Sequence, residues 1–141
     1  MKTYSMVFLA VLAVSAGANA QSYFSDVVAI QTTNLSTAEK QYAACLRMEN
    51  DGVVESALAH VAMLKLMYPV KELATVAREV RNLMKNNASA EIRYKAYVVN
   101  HLISNPKLFA SEARTTYESP DELFGALAAR LHDVVAGNVA K

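Results

Sequence analysis

The chain is predicted to be all-α, and three observations predict it. Apolar residues recur at three- and four-residue intervals along most of the sequence, no segment alternates with period two over a useful length, and the breaks between apolar runs carry the capping residues and prolines of helix ends. The 141 residues are 53% hydrophobic, enough for one domain. Chains above about 70–80 residues can bury a core without crosslinks. Cys45 is the only cysteine, so no internal disulfide is available and helix packing must supply the stability. On a helix beside Tyr42, Leu46 and Met48, Cys45 reads as a small buried hydrophobe, the alternative being an exposed thiol.

Residues 1–20 have the layout of a cleavable signal peptide. Lys2 supplies the positive start, Met6 to Val14 the apolar run, and Ala18-Asn19-Ala20 the small-residue cleavage pattern. The run is far shorter than the roughly 20 residues that cross a bilayer. Gln21 becomes the new N-terminus. With no cysteine there to take a lipid, the expectation is export through the Sec route, to the periplasm or outside the cell, with no stable membrane anchor after cleavage.

Residues 21–35 are a lead-in, with Phe24, Val27, Val28 and Ile30 suggesting a short helix. Residues 36–141 form the helical domain. The first helix is expected over Thr37 to Glu49, opened by a Ser36-x-x-Glu39 capping box. Gly52 closes it in a left-handed conformation and Asp51 caps the next helix. The second, Val53 to Met67, places Val54, Leu58, Val61 and Leu64 on one stripe, and Pro69 ends it. The third, Val70 to Lys85, has Val70, Leu73, Ala77, Val80 and Met84 inward. Its solvated face carries Lys71, Glu72, Arg78, Glu79, Arg81 and Lys85.

Asn86 to Ser89 make a turn. The fourth helix, Ala90 to Ser104, turns Ile92, Ala96, Val99 and Ile103 inward. Pro106 starts a short fifth helix to about Thr116, with Phe109, Ala113 and Thr116 or Tyr117 inward. Ser119-Pro120-Asp121-Glu122 starts the sixth with a serine cap, a first-turn proline and acids at the positive dipole end. Its inward stripe is Leu123, Leu127, Leu131 and Val134, and Gly137 ends it.

The second, fourth and sixth helices each follow a polar turn with similar apolar spacing. Val54 and Ile92 stand 38 residues apart, and that offset also matches Leu58 to Ala96, Val61 to Val99 and Leu64 to Leu102. Helix hairpins recurring at such periods are what stacked helical solenoids produce. The openings Asp51-x-x-Val54 and Ser89-Ala90-Glu91-Ile92-Arg93-x-x-Ala96 resemble those of HEAT-type and, less specifically, armadillo repeats. Glu55 stands where that pattern has a basic residue, and Ala88 or Ser89 where it has an aspartate. The resemblance implies a short right-handed stack of about three antiparallel hairpins over residues 36–136; the alternative is a compact helical bundle. It further implies that the second helices line a concave face, carrying Ser56, His60 and Met63 on one helix and Tyr94, Tyr97 and His101 on the next. Tyrosine, methionine and histidine on a rigid surface suit protein or peptide recognition.

Composition excludes two partner classes. Lysine and arginine number 14 against 13 aspartates and glutamates, and losing Lys2 balances them. A neutral surface lacks the cationic contacts that nucleic acids and anionic membranes need. The histidines His60, His101 and His132 fall one on each second-position helix but out of register for a common metal, and no H-x-x-x-H pair occurs. There is no G-x-S-x-G motif and no glycine-rich phosphate loop. Asn34-Leu35-Ser36 and Asn87-Ala88-Ser89 match the glycosylation acceptor pattern and read equally as turn and cap residues. No catalytic residue, metal ligand or cofactor is therefore assigned. The expectation is an exported, non-catalytic helical-repeat module that binds another protein or a peptide. The alternative is a small apolar-ligand or metal carrier, with a cavity lined by Met63, Met67, Met84 and nearby tyrosines.

Overall fold

The computed structural model describes residues 23–28, 30 and 32–139; the leader assigned to residues 1–20, and Gln21, lie outside them. The fold is all-α. Among the described residues no strand occurs, and six helices run in order: α1 Ser25–Val28, α2 Leu35–Leu46, α3 Asp51–Met67, α4 Ala74–Asn86, α5 Ala90–Ser104 and α6 Pro120–Val139. A 3-10 turn, Thr32–Asn34, leads into α2, and two more, Pro106–Phe109 and Glu112–Arg114, join α5 to α6.

The stripe expected on α3 is present, with Val54, Leu58, Val61 and Leu64 fully buried. It is only part of the buried surface. Ala57, Ala59, Ala62, Met63, Lys65 and Leu66 are buried as well, leaving Val53, Ser56 and His60 as a half-buried stripe. A helix buried over most of its circumference belongs in the middle of a domain. The segment of α1, helices α2, α5 and α6, and the two turns after α5 all pack on it. This corrects the reading of Met63 as part of an exposed concave face.

Helix starts differ from expectation wherever a distant side chain supplies the cap. Ser36 lies inside α2, not before it, and Glu39 does not close a box on its own helix. The Glu39 carboxylate instead accepts hydrogen bonds from the backbone amides of Thr75 at 2.8 Å and Val76 at 3.4 Å, capping α4 from the neighbouring helix α2. That helix begins at Ala74, not Val70. The carbonyl of Lys71 accepts from Lys65 Nζ at 2.7 Å, the Lys71 amide bonds Tyr68 in a turn, and Val70 is 89% exposed. Asn50, not Asp51, caps α3 by accepting from the Val53 amide at 3.1 Å. Gly52 sits within α3, and among the described residues none has a positive φ. Ser89 and Ser119 do act as caps, accepting from the amides of Ile92 and Glu122. The α6 helix runs through Gly137 to Val139.

The expected fifth helix is absent, replaced by the two 3-10 turns. The Leu108 carbonyl accepts from Arg130 Nε of α6 at 2.7 Å, and Thr115 is extended. Those tighter turns bury Phe109 and Tyr117 while leaving Ala113 and Thr116 exposed. The Tyr117 hydroxyl donates to Glu112 Oε2 at 2.5 Å, and burial first, then this acidic neighbour, pushes its pKa up to about 12.

Ion pairs set the helix directions. Arg47, just past α2, bonds Glu79 of α4 at 2.8 Å, while Glu39 reaches the start of α4, so α2 and α4 run the same way. Glu79 is therefore buried rather than solvated. Helices α3, α5 and α6 also share a direction, since their N-terminal ends meet at buried Lys95. Its Nζ bonds Glu55 of α3, lies 2.6 Å from Glu91 of α5 and 3.8 Å from Asp121 of α6, and stands 5.4 Å from the Phe124 ring centroid. Burial works to lower the Lys95 pKa, and the hydrogen bonds to Glu55 and Glu91 outweigh it, holding the amine above the usual lysine value.

Two outcomes follow for stability. Glu39→Ala removes the cap of α4 and should cost about 1–2 kcal/mol in urea unfolding, whereas Ser36→Ala, at an exposed mid-turn hydroxyl, should cost less than about 0.5 kcal/mol; equal losses would restore the local capping box. The Arg47 hydrogen bond holds the Glu79 carboxyl below the usual glutamate value despite its burial. A depressed folded-state pKa adds stability that is complete above the unfolded value of 4.5 and disappears as the pH falls through the folded one. The Tm gap between the parent and Arg47→Met should therefore be constant near neutrality and close in acid; a gap unchanged down to strongly acidic pH would contradict this.

Candidate functional site

A groove of about 810 Å³, open to solvent, lies between the N-terminal strap, α2 and α3. Its walls follow from local folding. The strap, residues 23–28 with Ile30, is held down by Phe24 and Val27, both fully buried. Hydrogen bonds pin its two ends. The Tyr23 hydroxyl bonds Ser56 Oγ at 2.7 Å near the start of α3, and the Tyr68 hydroxyl donates to the Ile30 carbonyl at 2.7 Å just beyond its end. The strap thus runs alongside α3 in the same direction.

From α2, Thr37, Gln41 and Cys45, with Ala38 and Tyr42, face the groove at helical spacing; from α3 come Val53, Ser56, Ala57 and His60. Ile30, Ala38, Val53 and Ala57 give an apolar floor. Asn34, Gln41 and Asn50 give uncharged hydrogen-bonding side chains, and Asp26 of the strap gives a carboxylate.

At one end His60 is enclosed by aromatic rings, with centroids of Tyr23, Phe24 and Tyr42 at 5.1, 5.3 and 5.8 Å. Its Nδ1 is 2.7 Å from the Ser56 carbonyl oxygen. A carbonyl only accepts, so Nδ1 carries the proton and, in the neutral ring, Nε2 is left as the acceptor. The Tyr42 hydroxyl has a raised pKa, from burial first, then the nearby Asp26 carboxylate, then Cys45. Cys45 is half-buried, between the two states expected for it.

The six residues expected on one concave face are thus distributed over three environments. Ser56 and His60 line the groove with the strap against them. Met63 is in the core. Tyr94, Tyr97 and His101 form a separate row on α5, where Tyr94 is 56% and Tyr97 39% exposed; their rings stack at 6.5 Å, and Tyr97 meets His101 edge-on at 4.5 Å. Of the methionines expected around a ligand cavity, Met63 is buried, Met67 and Met84 pack against the core, and none lines the groove. His60, His101 and exposed His132 occupy separate surroundings, and among the described residues no group of three or more histidine, cysteine or acidic side chains is placed to hold a metal ion. No helix among the described residues is long and apolar enough to cross a membrane. Sequence reasoning missed Tyr23 and Tyr42 as neighbours of His60, and Asp26 and Cys45 as lining the same groove. The one available signal was the Phe24, Val27, Ile30 spacing, which marks the lead-in as a segment that packs.

Comparison with family models, with curated proteins and with solved structures finds no match to this chain.

The two aromatic groups separate packing from surface. Tyr97→Ala, on an exposed row, should leave the Tm within about 1–2 °C of the parent, whereas Phe24→Ala should cost about 3 kcal/mol or more because the ring is fully buried. A large Tm loss in Tyr97→Ala would make the α5 row part of the core.

Proposed function

We propose that this protein is an exported, non-catalytic helical module that binds a peptide segment of another protein in the groove between the strap, α2 and α3. The groove itself carries the reading. Its apolar floor and its carboxamides, Asn34, Gln41 and Asn50, match what an extended peptide offers, apolar side chains alternating with amide donors and acceptors. A non-catalytic role is supported by His60, whose Nδ1 is committed to a backbone carbonyl and whose ring is packed among aromatics rather than paired with a carboxylate. Export is supported by Lys2, the Met6 to Val14 run and Ala18-x-Ala20. The HEAT-like reading draws support from the two hairpins, α2 with α3 and α4 with α5, whose equivalent helices share directions. A second reading, a small apolar-ligand carrier, has one observation in its favour: the groove volume falls in the range of about 300–1,000 Å³ typical of small-molecule sites.

Cys45 lines the groove and is the only thiol, which makes it a direct reporter. Peptides selected from a random twelve-residue display library on the purified protein, at about ten times their Kd, should slow modification of Cys45 by a disulfide reagent about tenfold. Filling the groove with Ala57→Trp should abolish both binding and protection. Failure to select any peptide, or selection of peptides that leave the Cys45 rate unchanged, would overturn the reading. Protection by apolar small molecules alone would establish the second one.

A further inference from the structure

We propose that the peptide is basic, with a lysine or arginine side chain that places its cationic head at the Asp26 carboxylate beside the Tyr42 ring and its aliphatic stem along the apolar floor. The inference rests on the groove being the peptide site, and its test separates the two.

Charge complementarity carries it. Of the side chains lining the groove, Asp26 alone bears a formal charge at neutral pH with histidine neutral. It is exposed, and among the described residues it makes no ion pair, unlike Glu55, Glu79, Glu91 and Asp121. The carboxylate is near enough to Tyr42 to help raise the pKa of that hydroxyl. Tyr42 and His60 stand 5.8 Å apart at 32°, so the Asp26 side of the groove combines one negative charge with aromatic surface. A cation there gains a charge-assisted hydrogen bond and the attraction of a ring face together. The apolar floor, Ile30, Ala38, Val53 and Ala57, suits the methylene stem and apolar flanking residues, since long basic side chains bury their stems along apolar surface. A carboxylate-bearing ligand meets repulsion at the same place. The occupant is a peptide rather than a free amine because the carboxamides along the groove have no partner in a lone ammonium stem and pair naturally with peptide groups.

The experiment uses the full chain and a blocked pentapeptide with a central lysine flanked by leucines, compared with the same peptide carrying norleucine, and with hexylamine. Calorimetry should show the lysine peptide binding about tenfold or more tightly than the norleucine peptide, a preference that weakens as salt is raised. Asp26→Asn, a near-isosteric change at an exposed position, should remove the preference while leaving the Tm unchanged. Equal binding of the two peptides, both protecting Cys45, would overturn the basic preference and leave the groove reading standing. Binding of neither, with no protection, would overturn the groove reading first. Hexylamine matching the lysine peptide would replace the peptide with a small amine and overturn the proposal, as would a preference that survives in Asp26→Asn.

Discussion

The arrangement depends on one constraint: most of the circumference of α3 must be kept from water. Leu58, Ala59, Val61, Ala62 and Leu64 are wholly buried and spread over more than half of the helix circumference, leaving one stripe, Val53, Ser56 and His60, half-buried beside the groove. Cover must therefore come from several elements at once. Helices α2, α5 and α6, the two turns after α5 and the strap, through Phe24 and Val27, all pack on α3. Even the charged residues of α3 conform. Lys65 is buried along its stem, and its ammonium reaches the Lys71 carbonyl, with burial lowering its pKa; Glu55 meets Lys95. Both charges leave the core by their tips.

With α3 enclosed by apolar contact, which is not directional, the orientation of the surrounding helices is set by polar groups. Glu39 marks where α4 starts, and Arg47 with Glu79 sets its course beside α2. Lys95 gathers the N-terminal ends of α3, α5 and α6. This explains which parts of the fold were legible in the sequence. The existence of all six helices, the limits of α5, the Ser119 start of α6 and the inward stripes of α3, of α5 and, as far as Leu131, of α6 depend on near neighbours in the chain, and all can be read from spacing. Glu39 was misread because its partner is 36 positions away, so a local motif with the right letters took its place. Glu79 was misread for the same reason: a charge at a solvent-facing helical position becomes buried once Arg47 arrives from another helix.

The groove was largely illegible for a further reason. It is not a property of any one element but the space left where the strap and α2 fail to meet over α3. Its polar members on α2, Thr37, Gln41 and Cys45, form a stripe of mixed polarity that neither an inward nor an outward reading singles out. The concave-face expectation took Ser56, His60, Met63, Tyr94, Tyr97 and His101 as one surface; Met63 is in the core, Ser56 and His60 line the groove, and the Tyr94, Tyr97, His101 row lies apart on α5. The segment from Pro106 to Tyr117 forms 3-10 turns in place of the expected helix, and its Leu108 carbonyl is bonded by Arg130, again from a distant element.

Anchoring of the strap bears directly on what such a groove can do. A wall formed by a short N-terminal segment would ordinarily have to be ordered by its ligand, at a cost of about 1–2 kcal/mol per residue fixed. Here the ordering is supplied without one. Phe24 and Val27 belong to the α3 core, and the bonds of Tyr23 to Ser56 and of Tyr68 to Ile30 hold the strap at both ends. The same burial that encloses most of α3 therefore keeps Asp26 and Tyr42 together on the lining of the groove, so that a ligand of the kind proposed would put its binding free energy into contacts rather than into building the site.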